Sequence, residues 1–153
     1  MVILTSFKRS KEYYGDFYSV ARFQPSGFAY PVLDFLAATD KDGEKLLLSQ
    51  FDNPIEGYEQ ALMGGYGARW GVIQKWLDEL DEDRTVVLCC WCPYSNSTKN
   101  EIREFGTFCC HTGIIGQIIN RCRPDISIIL DIDRKKKLLP RWMPEYIEDS
   151  IGE

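Results

Sequence analysis

Apolar residues fall in short runs separated by polar stretches, and the spacing inside each run predicts the elements. Five runs predict strands: 2–7 (VILTSF), 17–22 (FYSVAR), 45–49 (KLLLS), 85–91 (TVVLCCW) and 126–132 (ISIILDI). The first, fourth and fifth are almost continuously apolar, the pattern of strands covered on both faces in a parallel sheet. Trp70, Ile73, Leu77 and Leu80 repeat at helical spacing and form one apolar stripe. Thr98 and Glu101 fit a capping box ahead of Ile102 and Phe105, with Gly106 to close that short helix. Ile114, Ile115, Ile118 and Ile119 mark another helix, beginning near His111 or Thr112. Strands alternating with helices predict an α/β domain: a three-layer, Rossmann-like sandwich with a mostly parallel sheet of about five strands. Residues 1–140 form that single domain, and 141–153 form an acidic C-terminal tail.

Composition narrows the function classes. With 153 residues, 44% hydrophobic and 13% aromatic, the chain has enough apolar material for one real core. A net charge of −5 argues against duplex DNA as a partner, because phosphate binding needs a positive surface. It leaves room for a small anion held by a few local groups, or for a basic protein partner such as a host factor. No apolar run approaches membrane-spanning length, and the opening MVILTSFKRS lacks the charge-first order of a signal peptide. The expectation is a cytoplasmic protein, in which six cysteines stay reduced as buried thiols, metal ligands or catalytic groups. The charge runs DELDED (78–83) and RKKK (134–137) read first as solvated surface, flanking the core.

The chemistry concentrates where the strand 85–91 ends. Side chains alternate along it, so Leu88, Cys90 and Cys92 share one side, and Cys89 and Trp91 the other. Ligands of parallel α/β sheets gather beyond such strand ends. FCCHTG (108–113) opens the isoleucine-striped helix, where free N–H groups and the helix dipole favour anions and thiolates. Cys110 is therefore a candidate nucleophile, and His111, the chain's one histidine, a candidate general base or hydrogen-bond donor. Cys90 belongs to the same catalytic set; Cys92, Ser95 and Thr112 stand as ligand-binding candidates beside it. The alternative for the CCH turn is two small buried thiols and a helix-capping imidazole. Arg22, at the end of an apolar strand, is the candidate anion holder, or else half of a structural pair with an aspartate. GGYGARWG (64–71) lacks the G-K-[ST] of a P-loop, but Tyr66 and Arg69 could stack on or clamp a base. Trp70 there reads more simply as core. No motif demands a cofactor. Zinc is an alternative, with Cys89, Cys92, Cys109, Cys110 and His111 as donors, if the chain forms a knuckle rather than running straight through 89–92.

Two known patterns are similar. WCPYSNSTKNEI resembles the glutaredoxin active-site turn, which would make Cys92 a redox thiolate with Ser95 in the resolving position. A longer likeness covers residues 1 to about 122. VILTSFKRS, YSVARFQP with Arg22 and Pro25, VVLCCWC and CCHTGIIGQII together resemble the bacterial and phage family called domain of unknown function 488. Cys90 would take that family's strand cysteine, Trp91 its aromatic, and Cys110 with His111 its C-H pair; Cys92 and Thr112 replace its usual glutamate and arginine. The resemblance implies an α/β fold with a pocket and an association with nucleotide or nucleic-acid metabolism. The expected function is therefore an anionic small-molecule or nucleotide-binding protein, with catalysis at a Cys-His site as its extension. Its rivals are a non-enzymatic phage or mobile-element accessory protein and a thiol-redox protein.

Overall fold

The computed structural model describes residues 1–39, 44–46, 51–63, 69–91, 111–132 and 135–139. Four strands run parallel in the order β2-β3-β1-β4: β1 Val2–Ser6, β2 Asp16–Ser19, β3 Val86–Cys90 and β4 Ile128–Ile132. The α/β class with a parallel sheet follows directly. β1 lies between β3 and β4, with Leu4 beside both Leu88 and Leu130. Every residue of β1 and β3 is buried, which is why these two read as unbroken apolar runs.

Among the described residues, three α-helices cover one face: α1 Pro54–Met63, α2 Arg69–Asp78 and α3 His111–Cys122. Their buried side chains, Tyr58, Leu62, Ile73, Leu77, Ile114, Ile115, Ile118 and Ile119, pack on Val2, Leu4, Val86, Leu88, Cys90 and Ile128. Each such Leu or Ile contributes roughly 1.5–3 kcal/mol through burial. On the second face Ile3, Val87, Cys89 and Tyr13 form a smaller cluster with Phe7, Phe17 and Ile129. A 3-10 turn, Ser10–Glu12, lies on the connection from β1 to β2.

Several sequence expectations shift. The strand expected at 17–22 is Asp16–Ser19, so Val20 to Arg22 lie beyond its end. The run 45–49 is described only at its start, where Lys45 bridges Thr39; the rest lies outside the described residues. The basic run, expected after the last strand, contributes to an edge strand of its own: β5, Lys135–Leu139, pairs antiparallel with β4. The capping-box helix at 98–106 and the tail 141–153 lie outside the described residues.

Helix α1 carries a signal that apolar spacing alone does not display. Asn53 Oδ1 accepts the Glu56 N–H at 3.2 Å, and Pro54 takes the first helical position. Before β2, Gly15 has φ +149°, and a Cβ there would meet the Thr85 carbonyl oxygen at 2.7 Å, so only glycine fits. The acidic run is partly structural as well: Glu82 accepts the Ser127 N–H at 2.6 Å, just before β4.

Candidate functional site

The C-terminal end of β3 is where the chemistry-bearing residues meet. Beyond β2 the chain continues alongside β3, with the Val20 N–H donating to the Cys89 carbonyl at 3.0 Å. Two side-chain contacts then tie residues 20–23 to their surroundings, and a third lies within the segment. His111 Nε2 lies 2.7 Å from the Val20 carbonyl oxygen. A carbonyl only accepts, so Nε2 carries the proton, and in the neutral ring Nδ1 is the lone-pair nitrogen. The Trp91 indole N–H donates to the Phe23 carbonyl at 2.7 Å. The Arg22 guanidinium sits 5.0 Å from the centre of the Phe23 ring, a cation–π contact. Tyr58 packs edge-on against the imidazole, with 6.0 Å between ring centres, and its hydroxyl donates to the Leu36 carbonyl at 2.6 Å.

Cys90 is fully buried, and its sulfur lies 3.7 Å from the Thr112 hydroxyl on the first turn of α3. This contact joins the end of β3 to the start of α3 across 22 residues of sequence. Cys90 and Thr112 thus form an interior wall behind the half-buried His111. The alternation expected along β3 holds: Cys90 packs under the helices, and Cys89 faces the second cluster. Burial pushes the Cys89 thiol up to about 11, against a smaller opposing effect of the Ser10 hydrogen bond. Cys89 therefore stays protonated at neutral pH and unreactive. It and His111 have the sheet between them, so these two members of the zinc alternative do not share a site.

Arg22 is half-buried and forms no ion pair among the described residues. Arg69 is committed differently. Its Nε donates to the Phe35 carbonyl at 2.9 Å, and its two terminal nitrogens donate to the carbonyls of Ala37 and Thr39. It holds the loop after the second 3-10 turn, Asp34–Leu36, against the start of α2. Trp70 packs against the helical core. Cys92, Ser95, Cys110 and Tyr66 lie outside the described residues, as does Cys109.

A second polar constellation escaped the sequence reading. Asp131, fully buried in β4, accepts from the Thr5 hydroxyl at 3.0 Å and from Arg9 Nε at 2.8 Å. That hydrogen bond raises the Arg9 pKa further, and Glu12 adds a contact at 3.2 Å. Tyr13 lies on the same side; burial first, then the Asp131 charge, raises its pKa. The group stands at the ends of adjacent strands whose onward connections diverge, β1 toward β2 and β4 toward β5. The available signal was a lone aspartate inside the apolar run ISIILDI.

Two grooves formed by described residues lie elsewhere, one bordered by Tyr18, Phe35, Trp76 and Arg84, the other by Trp70, Asp78, Cys122 and Arg123. No helix among the described residues is long and apolar enough to cross a membrane. No family model, curated protein or solved structure matches the chain.

Proposed function

We propose that this chain binds an anionic small molecule of nucleotide type beyond the C-terminal end of β3, and that Arg22 and the N-terminus of α3 hold it there, with the Nδ1 lone pair of His111 as a candidate general base. The observation that carries the reading is the double anchoring of residues 20–23, by His111 at Val20 and by Trp91 at Phe23. Between these anchors, Arg22 offers a guanidinium that no carboxylate neutralises among the described residues. Two features then combine: the Arg22 guanidinium and the N-terminus of a 12-residue helix. Together they favour a phosphate or carboxylate. Cys110, immediately before His111, is the nucleophile if the site is catalytic. Thr112 and Cys90 support it from behind, and Cys92, Ser95 and Tyr66 are its flanking candidates. Membership of the domain of unknown function 488 family belongs to the same proposal, because the motifs suggesting it are the segments around Arg22, Cys90 and His111. So does the three-layer, Rossmann-like arrangement, supported by the burial of Val87 and Cys89 on the second face. A cytoplasmic setting suits the buried thiol of Cys89.

The test is native mass spectrometry of the protein purified from its own cells, beside Arg22→Ala prepared identically. The expected result is a retained phosphate ester or other anion on the parent chain and its loss from the variant. A ligand-free parent chain that also ignores added nucleoside monophosphates refutes the reading. It would direct attention to the accessory-protein alternative that blocks a host protein, since its nucleotide-sequestering form would fail with the same result.

A further inference from the structure

Trp91 immediately follows β3 and is 55% exposed, yet its orientation is fixed by the hydrogen bond to Phe23. Phe7, the residue after β1, meets it at 5.0 Å between ring centres with the planes at 66°. The row continues from Phe7 to Phe28 at 5.3 Å and from Phe28 to Tyr30 at 5.5 Å, both edge-to-face. Tyr30 and Phe23 are 51% and 67% exposed. Scattered exposed aromatics need no explanation, but a connected row with locked rings beside a strand end does. A fixed ring with much of its surface in water is what a planar base stacks on.

The local charge points the same way. In residues 7–23, Lys8, Lys11 and Arg22 form no ion pair among the described residues, whereas Arg9 is paired with Asp131 and Glu12, and Asp16 with Arg84, in a chain of net charge −5. Lys8 is exposed and adjoins Phe7 in sequence, and Arg22 stacks on Phe23, the residue that orients Trp91. An aromatic surface rimmed by cations complements a ligand with a flat ring and a phosphate.

We infer that Trp91, backed by Phe7, is the stacking platform for the base of a nucleotide whose phosphate is held at Arg22. This rests on the anion site proposed above and assigns its specificity to the base. The experiment is calorimetric titration of the full chain with inorganic phosphate, ribose 5-phosphate, AMP and UMP. The expected result is that AMP binds about tenfold more tightly than ribose 5-phosphate, the usual order of one base–aromatic stack. Trp91→Ala should remove that advantage, AMP and ribose 5-phosphate binding equally to the variant, and Trp91→Phe should keep most of the ratio. Equal affinity of the parent chain for AMP, UMP and ribose 5-phosphate overturns the platform and leaves the anion site standing; this comparison needs no variant. Failure of every probe to bind removes both. A concentration-dependent dimer abolished by Trp91→Ala, seen by sedimentation, would identify the row as a self-association surface and overturn the assignment.

Discussion

Replacing Arg9 by methionine tests the buried constellation where β1 and β4 end side by side. The substitution keeps most of the side chain's length and removes its charge. Asp131 would then remain fully buried with the Thr5 hydroxyl as its remaining hydrogen-bond donor among those described here. Removing one partner of a buried pair costs about 3–5 kcal/mol, because the other charge is left uncompensated. Arg9 is itself 22% exposed, so water relieves part of that penalty and the expected cost is about 3 kcal/mol, the lower end. Urea unfolding followed by circular dichroism measures it as a fall in midpoint at unchanged slope. The double variant Arg9→Met/Asp131→Leu removes both charges and should lose less than the sum of the single losses, by roughly 1 kcal/mol or more. A loss below about 0.5 kcal/mol for Arg9→Met, the scale of an ordinary surface change, refutes the reasoning. So does strict additivity in the cycle.

Two further outcomes follow from the geometry. Cys89 binds its proton more tightly folded, at about 11, than at the ordinary 9.0. Its contribution is complete below about pH 9 and fades as pH rises through 11, where up to about 3 kcal/mol is lost. The stability difference between the parent chain and Cys89→Ala should shrink over that window, and parallel pH profiles would contradict the burial argument. Arg69→Lys keeps the charge but not the planar fork that reaches three carbonyls. A loss of about 2 kcal/mol in urea unfolding is expected, and a neutral result would show that these carbonyls find other donors.

Nearness in sequence and nearness in space diverge sharply at this site. Cys90 and Thr112 are 22 positions apart and touch. Arg69 and Tyr66 stand close together in a glycine-rich segment that suggests a binding loop, and Arg69 reaches three backbone carbonyls far from that segment in sequence. No local pattern distinguishes an arginine that binds a ligand from one that caps a loop, because the carbonyls it reaches lie 30 to 34 residues away. Trp91 was legible as the aromatic of a motif, but its exposure and its link to Phe23 depend on a segment 68 residues earlier.

The sequence by itself determined the elements that local chemistry dictates. Continuous apolar runs specify buried parallel strands, the isoleucine stripe specifies α3, and alternation sends Cys89 and Cys90 to opposite faces. These depend on the period of the backbone, which each segment carries within itself. The tertiary structure alone decided strand order, the antiparallel place of 135–139, the tautomer of His111 and the burial of Asp131. Each of those is settled by a partner far along the chain, and the free energy of such a contact exists only once the two segments have met.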